Sequence, residues 1–68
     1  MKVEYDPARD LLYVWFAAPA TRAARTQTLA PGVNVDFDRD DHLVGIEVLD
    51  ARQVLGPDLT VEFAFAPA

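Results

Sequence analysis

Sixty-eight residues leave room for one small domain, 1–68, and no second core. With 51% of them apolar, the chain is too hydrophobic for an acidic disordered polymer. A formal charge of −5 excludes the basic footprint that nucleic-acid binding needs, and it suits a basic protein partner instead.

A domain this short buries only about 60% of the surface its unfolded chain exposes. It has no cysteine for a disulfide or zinc–thiolate staple, so self-association is the remaining one, and a homo-oligomer, a dimer first, is expected. No signal-peptide pattern opens the chain, and its longest apolar run, Leu11 to Pro19, falls well short of the roughly 20 residues of a membrane span. The expectation is a cytoplasmic protein with no membrane contact.

Val3 and Tyr5 alternate with Lys2, Glu4 and Asp6, which predicts a first strand. Asp6-Pro7-Ala8-Arg9-Asp10 carries turn chemistry, because Asp bonds onward to backbone N–H and Pro presets φ. Leu11 to Ala17 returns as a second strand, with Asp6 opposite Leu11, Tyr5 opposite Leu12 and Val3 opposite Val14. Met1, Val3, Tyr5, Leu12, Val14 and Phe16 then share a core face. The strand's other face holds Leu11, Tyr13 and Trp15, so it too must be covered, by the rest of the chain or by another copy. Aromatic residues are enriched where proteins meet, and these three are the candidate interface.

Arg22 to Leu29 reads as a weaker third strand, with Arg25 near Asp38 and Gln27 near Asp36 across the Pro31-Gly32 turn. Val33, Val35 and Phe37 alternate with Asn34, Asp36 and Asp38, and Val44, Ile46 and Val48 alternate with Gly45 and Glu47. The two runs predict an antiparallel hairpin folded about Asp40-Asp41. Val33 then faces Val48, Val35 faces Ile46 and Phe37 faces Val44, with Asn34 opposite Glu47, Asp36 opposite Gly45 and Asp38 opposite Leu43. Asp50 with Gln53 makes a capping-box pattern for a short helix over Asp50–Leu55 that buries Val54 and Leu55, and Gly56-Pro57 stops it. Alternation resumes at Leu59, Val61, Phe63 and Phe65, predicting a last strand. The expected fold is mainly β: an antiparallel meander sheet of four to five strands with one short helix and a C-terminal strand.

Val3-Glu4-Tyr5-Asp6-Pro7 and Leu12-Tyr13-Val14-Trp15-Phe16, followed by Pro31 to Asp38 and Leu43 to Ala51, resemble domain-of-unknown-function family 2283 of small prokaryotic proteins. The resemblance covers roughly residues 1–55 and leaves 56–68 as a tail. It implies a small β-rich fold and brings no activity, cofactor or catalytic residue. It also hints at an antitoxin-like role beside a basic, toxin-like protein. Family members tend to carry Asp-Gly or similar at the central hairpin tip, where this chain has Asp40-Asp41, so a four-residue loop is the alternative there.

Chemistry-bearing patterns are few. Asp36, Asp38, Asp40 and Glu47 match acid positions of a helix–loop–helix calcium loop, but Asp41 stands where Gly is needed and the flanks are strands. An acidic divalent-metal site or hydrolase on Asp36, Asp38 and Asp40 is the alternative reading. His42 is the single histidine, and serine is absent along with cysteine. No pocket-forming acid pair or Gly-rich phosphate loop is evident. The sequence therefore assigns no catalytic residue, cofactor or metal ligand, and predicts a non-enzymatic interaction module.

Overall fold

The computed structural model describes residues 1–60, 62 and 64. Five strands, β1 (Lys2–Asp6), β2 (Leu11–Trp15), β3 (Arg25–Ala30), β4 (Val33–Phe37) and β5 (Leu43–Val48), precede one helix, α1 (Ala51–Leu55). All neighbouring strands are antiparallel, in the order β1-β2-β5-β4-β3. The antiparallel sheet with one short helix is as expected. Its order departs from a plain meander, because β2 pairs with β5 and not with β3. The two strands richest in apolar residues thus take the interior of the sheet, while Lys2 and Glu4 on β1 and Arg25 and Gln27 on β3 charge or polarise its edges. No described helix is long and apolar enough to cross a membrane.

One face is the core. Directly opposite residues lie on the same side, so Tyr5, Leu12, Val48 and Val33 form one row and Val3, Val14, Ile46 and Val35 the next. Leu12, Val48 and the wholly buried Ala51 of α1 pack together, with Val3, Tyr5, Ile46 and Leu59 against them. Val35 and Val44 are buried as well.

The β1–β2 register is the one alternation predicts. The central hairpin keeps its expected pairs from Val33–Val48 to Asp36–Gly45, then slips. Phe37 faces Leu43 and not Val44, and Asp38 pairs with His42, its N–H donating to the His42 carbonyl at 2.9 Å. A three-residue loop replaces the tip at Asp40-Asp41. The Asp41 N–H bonds back to the Asp38 carbonyl at 3.1 Å, and Asp41 takes a left-handed φ of 62°. That loop geometry obliges β5 to carry one extra residue, and Val44, 1% exposed, is the residue bulged. Phe37 is therefore only half-buried, with the Arg25 guanidinium 4.1 Å above its ring centroid. Since glycine adopts positive φ without steric cost, Asp41→Gly should raise the urea midpoint by an amount worth less than about 1 kcal/mol. A lowered midpoint would mean that the exposed Arg25–Asp41 pair, 3.3 Å apart, outweighs the backbone strain.

A second irregularity between Thr28 and Ala30 shifts the β3 register by one residue. Arg25 consequently faces Phe37 and Gln27 faces Val35, while Thr26 takes the place beside Asp36 that Gln27 was expected to hold. The strand itself starts at Arg25, later than the expected Arg22.

Helix α1 exists, but its capping differs from expectation. Asp50 occupies the N-cap position in a left-handed conformation (φ 50°) and its side chain caps nothing. Asp10 does the capping from the β1–β2 turn: its carbonyl accepts the Ala51 N–H at 2.9 Å and both carboxylate oxygens lie 3.2 Å from the Arg52 N–H. The Tyr5 hydroxyl donates to the same carboxylate at 2.7 Å, and this bond holds the Tyr5 pKa above its ordinary value. Val54 and Leu55, expected inside, are 40% and 50% exposed; a five-residue helix pinned by its first turn buries Ala51 instead. Asp10→Ala should cost about 1–2 kcal/mol in chemical denaturation, whereas Asp10→Asn, which still accepts N–H and tolerates the left-handed φ of 52° that Asp10 adopts, should recover most of it. Equal losses for both would show that charge, and not capping, is what Asp10 supplies. Of the predicted last strand, Leu59 and Thr60 carry no strand pairing, and Val61, Phe63 and Phe65 lie outside the described residues.

Candidate functional site

The sheet face opposite the core is built from all five strands. Lys2, Trp15, Gly45, Asp36 and Thr26 stand in one row across it, and Glu4, Tyr13, Glu47, Asn34 and Thr28 in the next. Leu11, opposite Asp6, begins a third. The three interface candidates, Leu11, Tyr13 and Trp15, are thus together on one face, each half-buried. Helix α1 packs on the other side, so among the described residues no helix or strand lies over them.

Polar bonds fix the aromatic rings. The Trp15 indole Nε1–H donates to Glu4 Oε1 at 2.9 Å, and Lys2 Nζ lies 3.4 Å from the same oxygen. The Tyr13 hydroxyl donates to Asp36 Oδ2 at 2.6 Å, reaching from β2 over β5 to β4. It can do so because the residue beneath it is Gly45. A Cβ there would sit 2.5 Å from Tyr13 Cε1 and 2.7 Å from its hydroxyl oxygen. The glycine inside an otherwise regular strand marks a close approach, which is the signal by which this contact could have been read from sequence. Thr26 donates to the other Asp36 oxygen, Thr28 donates to Asn34 at 2.7 Å, and Asn34 donates to Glu47 at 3.2 Å. Tyr13 and Trp15 are tilted against each other with centroids 4.5 Å apart.

Burial raises the Tyr13 pKa well above the tyrosine range, and the hydrogen bond to Asp36 and the charges of Asp36 and Glu47 add to the shift. A pKa higher in the folded than in the unfolded protein gives stability that is complete below the unfolded value, about 10, and is lost as pH rises beyond it. Urea midpoints should therefore fall above about pH 10, and Tyr13→Phe should make that fall shallower; the raised Tyr5 hydroxyl acts in the same direction. An unchanged alkaline slope in Tyr13→Phe would contradict the half-buried hydrogen bond to Asp36.

The acids of the alternative metal reading are not assembled as expected. Asp36 belongs to the aromatic face, bonded to Tyr13 and Thr26, whereas Asp38 and Asp40 lie in the hairpin loop. Strand β4 ends at Phe37, so Asp38 falls in the loop, outside the alternation that would have set it beside Asp36. The loop groups Asp38 and Asp40 with His42, with potential ligand atoms within 4.8 Å of one another. Asp38 is explained by its turn: its Oδ1 accepts the Asp40 N–H at 2.8 Å and the His42 N–H at 2.9 Å. The bond from the His42 amide is the leading reason its pKa falls below 3.8. The His42 side chain, 3.5 Å from Asp38 Oδ2, is otherwise in solvent.

No curated protein and no solved structure matches the chain. A family model described as "Protein of unknown function (DUF2283)" matches residues 2–52, three quarters of the length and all five strands that build the aromatic face. The chain belongs to this family of proteins of unknown function.

Proposed function

We propose that the protein is a non-enzymatic protein-interaction module that works as a homo-oligomer and presents the Leu11–Tyr13–Trp15 face to a protein partner. The observation that carries this reading is a sheet face with two rigidly bonded aromatic rings and no described element over it. Aromatic residues of this kind anchor interfaces because they offer large contact area at little entropic cost once their rings are fixed. Among the described residues the buried apolar core, Leu12, Val35, Val44, Val48 and Ala51, is small, which supports self-association as the missing staple.

Two copies stacked on the aromatic face would set Glu4, Asp36 and Glu47 against their own images, and like charges brought together out of water are costly. Self-contact is better served at the opposite side. There Leu49 (39% exposed) and Val54 flank the Pro31–Gly32 turn around a notch of about 250 Å³, with Leu55 nearby on α1. Light scattering at micromolar concentration should give at least twice the 7.5 kDa chain mass, and Val54→Asp should reduce it to one chain while Trp15→Ala leaves it unchanged. A wild-type monomer at high concentration would remove the oligomer from this reading. Dissociation by Trp15→Ala alone would place the self-contact on the aromatic face.

A further inference from the structure

We infer that the aromatic face takes a basic polypeptide segment, with arginine side chains laid over Trp15 and Tyr13. The inference rests on reading this face as an interface and adds the chemistry of its occupant.

Among the described strand residues, Glu4, Asp6, Asp36 and Glu47 lie on the aromatic face with Lys2 as the one strand cation, and Arg9 of the β1–β2 turn comes within 3.9 Å of Asp6; Arg25 lies over Phe37 on the core side and Arg52 sits on α1. The carboxylates keep acceptor capacity. Glu47 receives one bond, from Asn34, and among the described residues its second oxygen receives none. A guanidinium is planar, weakly hydrated and suited both to stacking on an aromatic face and to a two-point bond with a carboxylate. Trp15 and Tyr13 offer the ring faces, and Glu47, opposite Tyr13 on the neighbouring strand, offers the carboxylate beside them. The carboxylates that fix both rings also make their surroundings negative, which strengthens attraction for a cation and repels nucleic acid and anionic lipid. A second copy of this acidic chain is a poorer occupant for the same reason.

The test uses the full chain, ¹⁵N-labelled, titrated with a short capped peptide of alternating arginine and serine, and with a control peptide in which citrulline replaces each arginine. The expected result is a saturable change in Trp15 emission and amide shifts concentrated at Tyr13, Trp15, Gly45 and Glu47. Both should weaken as salt rises and weaken about tenfold or more in a Glu4→Gln/Glu47→Gln variant whose circular dichroism is unchanged. Equal binding of the citrulline peptide at this face would overturn the basic chemistry and leave the interface reading standing. Arginine-peptide shifts confined to the Asp38–His42 loop, or an absence of binding at millimolar peptide, would overturn the inference. Concentration-dependent broadening of the same amides without any peptide would identify a second copy as the occupant, which overturns it too.

Discussion

Leu12→Ala is expected to unfold most of the protein or bring it close to unfolding at room temperature. Leu12 sits between Tyr5 and Val48 in the core row and under Ala51, 7% exposed. Truncating such a side chain costs about 2–5 kcal/mol, from lost burial and from the cavity left behind. A domain of this size holds roughly 3–10 kcal/mol in all, so the loss is a large share of it. Circular dichroism with urea melts reads the effect directly. Leu55→Ala, at a side chain half in solvent, is the control and should move the midpoint little. Comparable losses in the two variants would mean that α1 and the β2–β5 pair do not meet as described. Phe37→Ala should cost less than the roughly 3–5 kcal/mol of a fully buried phenylalanine, because the bulge gives the enclosed place to Val44.

Gly45→Ala should destabilise the sheet strongly for the addition of a single methyl. The new Cβ would meet the Val14 carbonyl oxygen and Tyr13 Cε1, each at 2.5 Å. The ring can swing aside at the expense of its bond to Asp36, but the carbonyl belongs to a paired strand and cannot move alone. Overpacking of this kind costs about 1–3 kcal/mol. Combining it with Tyr13→Ala separates the two clashes: the double variant should recover the part due to the ring and keep the part due to the backbone. Strictly additive losses would mean that ring and glycine do not touch.

Legibility from sequence followed the range of each interaction. Alternation alone gave the β1–β2 register and the pairs from Val33–Val48 to Asp36–Gly45, because a slip there would bury Asp and Glu. It also put Leu11, Tyr13 and Trp15 on one face. Bulges at Val44 and near Leu29 escaped, since a one-residue insertion has no period of its own and depends on how a loop closes. The pairing of β2 with β5 and the capping of α1 by Asp10 escaped as well. Both join segments far apart in sequence, and a local capping box at Asp50 and Gln53 offered a nearer answer that the backbone, turned left-handed at Asp50, does not use. At the candidate site the error was similar. Asp36 was grouped with Asp38 and Asp40 by spacing, while its partner proved to be Tyr13 across two strand boundaries.

Tyr13 crosses Gly45 to reach Asp36 and so assembles the aromatic face. Proton–proton Overhauser contacts of the Tyr13 ring measure this most directly. Strong cross-peaks are expected from the Tyr13 ε protons to the Gly45 α protons, with weaker ones to the Asp36 β protons. A Tyr13 ring with contacts to Trp15 and none to Gly45 would contradict this crossing.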